Sequence, residues 1–400
     1  MESTLSAYPK NSASLREIKK GLILKLILSG GKHSCADLGR ALNVGRSTVL
    51  HVVRELKDEG LIEELGYGDT TAKGGRKPLE LGIKSDSNFI ISVCVRGVSL
   101  KVSVIDLSGA ALLELRKDVD IGRGGDGLMK EMTALVKKAK ADFLKRTPVA
   151  NILGCGISFS GRVDPEKGMV LYEHNFGMKN VPVCDIVSSA SAIPAYIDNR
   201  VVIGGIAEKW FGRARDLKNF VYFQVLPSMR AVAFLDSKPF RGINHMAGEV
   251  GAIPLADGEG RFICDIIDSA VFKLPGIASR YGLWNEESSV SKAENNTALC
   301  DFLRIVDNFR YEKKDIDVVI KCAGKLLGNF IAFYDPETII FSGVSDEFSD
   351  YFMGEMKKFL NSTMYMVPPE NYKLEMASPL SRRTELGMIG MVIERILSRT

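Results

Sequence analysis

The sequence predicts an α/β protein headed by a winged helix-turn-helix, and three observations carry that reading. Residues 14–58 read as three short helices separated by Gly- and Asn-containing breaks. A basic, Gly-rich loop between two short strands follows directly. From Asn88 onward, strand-like and helical stretches alternate to the end, the pattern of an α/β chain with more than one sheet.

Four hundred residues exceed one ordinary core; at roughly 100–200 residues per domain, two to four units are expected. The balance of 46% hydrophobic and 26% charged residues belongs to a globular chain. No apolar run approaches the ~20 residues of a membrane span, and the polar start is unlike a signal peptide. Seven dispersed cysteines form no CxxC pair, which signals neither zinc nor a disulfide framework and fits a reducing cytoplasm. Of the net charge of +4, +3 falls in residues 1–83, a mild pointer to nucleic acid.

Residues 1–13 read as a disordered leader. In 14–29, Leu15, Ile18, Leu22, Leu26 and Leu28 recur at near-helical spacing, and the Gly30-Gly31 pair stops the helix. A second helix starts at Ser34 with Asp37 three positions on, a capping-box pattern with Asp for Glu. Asn43-Val44-Gly45 is the turn, and a third helix runs from Arg46 to Asp58. Strand-like Leu61–Leu65 and Leu79–Leu81 flank the loop. Farther on, strands are expected at 89–95, 101–106, 152–158, 219–225, 230–235 and 338–342, and helices at 126–146, 201–212, 315–334 and 384–398.

Helix, three-residue turn with Gly, helix is the helix-turn-helix plan. In the third helix Val49, Val52, Val53 and Leu56 form an inward stripe. Arg46, Ser47, Thr48, His51 and Arg54 fall outside it, mostly in the N-terminal half that enters the major groove. Arg can fork onto guanine, and Ser and Thr can bond phosphate or bases. A plain helical hairpin with a solvated face would show the same pattern. The loop separates the two readings: Lys73, Gly74, Gly75, Arg76 and Lys77 make a slim cationic tip suited to a phosphate backbone or a narrow minor groove.

Beyond the wing, five segments taken in order resemble the ROK family of repressors and sugar kinases. They are the hairpin ending in VIDLSG (104–109), GCGISFSGRVD (154–164), IDNRVVIGGIAE (197–208), RGINHMAGEVGAIP (241–254), and DPETIIFSGV (335–344) together with 387–391. The GGRKP wing is similar to that of the family's xylose- and N-acetylglucosamine-type repressors. The resemblance implies a two-lobed actin-like (ribonuclease H-like) sugar-kinase fold with a ligand cleft between lobes. The implied organisation is a leader (1–13), a winged helix-turn-helix (14–83), a first lobe (84–198 plus 382–400) and a second lobe (199–381).

The departures from the family pattern concern the chemistry. Cys94 stands where the family's kinases have Asp, and Arg96 where they have the first Gly of a phosphate-binding hairpin. The second phosphate loop, 226–232, has no Gly and contains Pro227. Arg200 replaces the catalytic Asp after Asn199, and a guanidinium cannot accept the sugar hydroxyl's proton. Ala252 replaces the His of the family's zinc site, and only Cys264 remains of its Cys-rich segment, so no metal and no cofactor are expected. The implied effector contacts are Asn199 and Glu249, with Asp265 in the third position. Arg200 either favours an acidic or phosphorylated sugar or closes the cleft by pairing with Glu249.

The function expected is therefore a non-enzymatic transcriptional regulator of carbohydrate genes, a repressor, binding double-stranded operator DNA as a homodimer or dimer of dimers. Two rivals stay open: a sugar kinase with an accessory DNA domain, and a DNA-binding protein whose cleft takes no small ligand.

Overall fold

The computed structural model describes residues 12–30, 33–68, 77–226, 229–253, 263, 266–267, 271, 311–363, 371–379 and 382–399. The N-terminal unit comprises α1 (Ser12–Gly30), β1 (His33–Ser34), α2 (Cys35–Leu42), α3 (Arg46–Asp58), β2 (Ile62–Tyr67) and β3 (Leu79–Ile83). The first helix begins at Ser12, inside the stretch expected to be leader. The capping box at α2 is complete: Asp37 N–H donates to Ser34 Oγ (3.2 Å), and Ser34 N–H donates to the Asp37 carboxylate (3.0 Å). The Ser34 hydroxyl also donates to that carboxylate (2.6 Å), and this bond, with the one from Ser34 N–H, holds the Asp37 carboxyl below its usual value. Asn43 closes α2 in the left-handed region at φ 52°, a conformation Asn tolerates better than most residues. Val49, Val52, Val53 and Leu56 are buried as the stripe predicts, in one core with Ile23, Leu24 and Ile27 of α1 and Leu38 of α2. The sheet order β1-β3-β2 makes the wing a hairpin of β2 and β3.

The remainder is built on two five-stranded sheets of the same plan. The first contains β4 (Asn88–Arg96), β5 (Ser99–Asp106), β6 (Ala111–Asp118), β7 (Asn151–Phe159) and β11 (Ala195–Asn199). A side sheet of β8 (Arg162–Asp164), β9 (Met169–Glu173) and β10 (Met178–Val181) hangs beside it. The second main sheet contains β12 (Phe220–Gln224), β13 (Arg230–Leu235), β14 (Lys238–Pro239), β15 (Thr338–Ser342) and β16 (Lys373–Met376). Their orders, β6-β5-β4-β7-β11 and β14-β13-β12-β15-β16, correspond element for element. In each, a meander of three antiparallel strands is extended by two parallel ones.

Both main sheets are covered on both faces. α4 (Gly124–Arg146) and α5 (Val183–Ser191) cover the outside of the first. The outside of the second is covered by α7 (Lys313–Tyr334) and α8 (Asp346–Thr363). Between the sheets lie α6 (Arg200–Phe211) and α9 (Arg383–Arg399). Alternation on β12 shows the division: Phe220 and Tyr222 face α6, while Val221 and Phe223 face α7. Strands buried on both faces read as continuous apolar runs, and β15 is buried at every position. Among the described residues no helix is long and apolar enough to cross a membrane.

In the middle layer α6 and α9 approach closely because they meet at glycine. A side chain on Gly387 would overlap the Ile203 carbonyl oxygen, and one on Gly390 would sit 2.8 Å from Ile206 Cγ2. Gly387→Val should therefore destabilise the chain by about 3 kcal/mol or more, at the upper end of overpacking costs because backbone cannot yield. Urea denaturation measures this; a loss under about 1 kcal/mol would show that the crossing has slack.

Candidate functional site

On α3, Arg46, Ser47, His51 and Arg54 are exposed and Thr48 is half-buried, opposite the valine stripe. The imidazole Nε2 of His51 lies 2.9 Å from a carboxylate oxygen of Glu55, one turn on. Gly45 caps the helix without a side-chain bond, so first-turn N–H groups point outward, where phosphate oxygens are well received. Leu50, 45% exposed, stands between Arg46 and Arg54 on the same face. Sequence reasoning did not name it, yet its position suits contact with a thymine methyl. In the wing, Gly68 N–H donates to the Pro78 carbonyl (2.9 Å), and Lys77 is exposed. Lys73, Gly74, Gly75 and Arg76 lie outside the described residues.

The second site is a cavity where β11, α6 and β13 converge. It is lined by Gly161, Asn199, Arg230, Arg241, His245 and Glu249, among others, with a volume of about 30 Å³. That is room for a water or two rather than a sugar ring. Of the expected effector residues, Asn199 and Glu249 are brought together here. Arg200 does not line the cavity; it begins α6 and acts electrostatically on Cys94 of the first hairpin. Asp265 and Cys264 lie outside the described residues, as do Pro227 and Ser228 of the second phosphate loop. Among the described residues no group of three His, Cys, Asp or Glu could hold a metal, and Ala252 offers no ligand atom.

The side-chain amide of Asn199 is used locally. Its Oδ1 accepts from Val201 N–H (2.9 Å), capping α6, and its Nδ2 donates to the Gly161 carbonyl (2.8 Å). Glu249 is ion-paired, but with Arg230 of β13 rather than with Arg200. Arg241 grips Asp198 with both terminal nitrogens, at 2.7 and 2.5 Å. Asp198 is 2% exposed. This bidentate pair bridges the end of the first sheet and the loop after β14. His245 Nε2 lies 3.6 Å from Asp164 across the same gap. Sequence reasoning missed Arg230, Arg241 and Asp198. The available signal was an excess of arginine in segments the resemblance assigns to the cleft.

The family profile of the ROK family matches residues 97–395, and that of winged helix-turn-helix DNA-binding domains matches 16–63. A xylose repressor from Caldicellulosiruptor bescii is 28% identical over 404 residues, covering 97% of this chain and 98% of that one. A solved ROK family transcriptional regulator, a homolog of the E. coli MLC protein, superposes with a TM-score of 0.69 at 20% identity, covering 96% and 97% of the two chains. A ROK hexokinase from Thermus thermophilus superposes at 0.53 and 15% identity, covering 78% of this chain and all of the other. The large part of the chain therefore has the two-lobed actin-like fold that the motifs implied.

Glu173 lies under the Gly161 wall of the cavity, 3.2 Å from where a Gly161 side chain would start. Burial pushes its carboxyl up to about 7, although Phe176 and Asn175 N–H groups donate to it. Between about pH 4.5 and 7 the native state keeps a proton that the unfolded state has lost, so stability falls as pH rises through that window. Glu173→Gln should remove this dependence. Relative to wild type, the variant should gain on the order of 2–3 kcal/mol between pH 5 and 8 in urea denaturation. A difference independent of pH would refute the assignment.

Proposed function

Because this chain belongs to the ROK family and carries a winged helix-turn-helix at its head, we propose that it is a DNA-binding repressor of carbohydrate-utilisation genes, not an enzyme. The observation that carries this is α3: a buried valine stripe on one side, and Arg46, Ser47, His51 and Arg54 exposed on the other. Likeness to a xylose repressor over nearly the whole chain supports the class of genes. The protein works in the cytoplasm on double-stranded operator DNA, as a homodimer or dimer of dimers, since paired half-sites ask for paired recognition helices. Arg46, Ser47, Thr48, Leu50, His51 and Arg54 read the major groove. Lys73, Gly74, Gly75, Arg76 and Lys77 hold the backbone or minor groove.

The cleft is regulatory in this reading. Its effector is a sugar or an acidic or phosphorylated sugar, held by Asn199 and Glu249 with Asp265, and by cations that would pair with an anionic group. The catalytic carboxylate is replaced by Arg200, and the neighbouring Asp198 is occupied by Arg241, so neither of these two positions offers a free base to a sugar hydroxyl. One observation favours a second reading, in which the cleft takes no small ligand: the cavity is small and the Asn199 amide is already bonded. A thermal-shift series with neutral and anionic sugars separates the two, since a tight ligand raises stability by mass action.

Fluorescence anisotropy on a duplex selected by the protein from random sequence tests the DNA assignment. Arg46→Ala should cost about 1–3 kcal/mol and relax specificity at one base position. Lys77→Ala should weaken all duplexes alike and reduce the salt slope by about 1. Unchanged binding in both variants would move the interface elsewhere. With ATP and D-xylose or D-glucose, ATP consumption should stay at background.

A further inference from the structure

The DNA-reading helices are docked directly on the middle layer. Ile23, Leu24 and Ile27 of α1 share one core with Trp210 of α6 and Met391 and Val392 of α9. Gly21 of α1 lets Leu397 of α9 approach, with 3.2 Å left for a side chain. Set in that apolar junction is a polar cluster. Lys25 Nζ lies 5.2 Å from the Trp210 ring centroid. The Trp210 indole N–H donates to Glu394 Oε1 of α9 (2.7 Å). Burial pushes the Lys25 ammonium below its ordinary value, and the charges of Glu394 and Asp216 oppose that. Beside it, Lys209 is nearly buried and donates to the carbonyls of Arg215 and Leu217.

The other end of α6 is the cleft. Asn199 caps the helix and is tied to the Gly161 wall. Twelve residues make a rod about 18 Å long, with the cavity at its first turn and α1 at its last. The apolar contacts around the junction are non-directional and tolerate small slides. The cation over a ring and the indole N–H on a carboxylate are not tolerant, because both depend on position and angle.

We infer that Lys25, Trp210 and Glu394 form the coupling element through which the state of the cleft reaches the DNA-reading helices. The inference rests on the cleft being regulatory and names where that regulation passes. Lys25 is a positioning residue here: it touches neither effector nor DNA, and acts by setting how α1 sits on α6. Coupling is reciprocal, so DNA binding should bias the cleft through the same contact.

The test perturbs the cleft without needing its ligand. Arg241→Ala releases the bidentate pair across the cleft, and Asn199→Ser, which keeps a capping oxygen, is a milder second perturbation. Each is made in the full-length wild-type and Lys25→Met backgrounds. Backbone hydrogen exchange over residues 35–58 and affinity for the selected duplex are then measured. In the wild-type background the cleft changes should shift duplex affinity roughly tenfold and alter exchange in α2 and α3. In Lys25→Met both effects should fall below about twofold, while basal affinity stays near wild type. Equal shifts in both backgrounds would overturn the inference and leave cleft regulation standing. No shift from either cleft variant would remove cleft regulation, and this inference with it. Loss of duplex binding in Lys25→Met alone would make the cluster structural, which also overturns it.

Discussion

The two helices between the sheets, α6 and α9, cross with their backbones in close contact: the Gly387 position has no space beside the Ile203 carbonyl. The rest of the large domain follows from that contact. It brings the inner faces of both sheets onto one pair of helices, so Ile90 and Ile105 of the first sheet and Phe220 and Tyr222 of the second belong to a single core. It also places the N-terminus of α6 at the mouth between the sheets, where the loops carrying Glu249 and Arg241 arrive. The same layer offers the outer surface on which α1 lies. A buried carboxylate reinforces the closure: Glu208 of α6 accepts from Ser378 N–H (3.0 Å) and Oγ (2.8 Å), with the Arg383 guanidinium 3.4 Å away. A charge wholly out of water is tolerable because it is paired and fully hydrogen-bonded.

The two main sheets share one plan and differ in what hangs from them. In the first, the link between β7 and β11 carries the side sheet β8–β10 and the helix α5, and β9 packs behind Gly161 of the cavity wall. In the second, the β13–β14 hairpin leads into the loop that supplies Arg241, His245 and Glu249. Gly248 in that loop meets the Ala231 carbonyl so closely that no side chain fits, at φ 91°. The tight approach packs Glu249 against β13 and so against Arg230. The pairing that closes the cavity is therefore a consequence of backbone geometry as well as of charge.

Local features were legible in the sequence. The Ser34–Asp37 box and the Val49, Val52, Val53, Leu56 stripe depend on residues within one or two turns of each other, and the structure has them as read. Alternation of strands and helices sufficed for the fold class, and ordered motifs for the two lobes. Several elements were not read. β6 lies at the edge of its sheet and carries Glu114, Arg116 and Lys117 outward, so its apolar face is weak. β16 has four residues with none fully buried. The cleft was legible as a place but not as a set of partners. Three arginines, at 200, 230 and 241, could each serve Glu249, and chemistry alone does not rank them. Topology does: β13 brings Arg230 to Glu249, while Arg241 is taken by Asp198.

The late position of α9 in the chain has a consequence for how the molecule is made. α9 covers β4 and β7 and completes the surface under α1, yet every other described element is synthesised before it. Contacts closed over such sequence separations form slowly. The recognition helices therefore emerge from the ribosome long before their docking surface exists, with the apolar residues Ile23, Leu24 and Ile27 of α1 still lacking part of their cover. During that interval part of the apolar face of α1 is open to solvent or to other chains. Only the arrival of α9 completes the core in which α1 is buried.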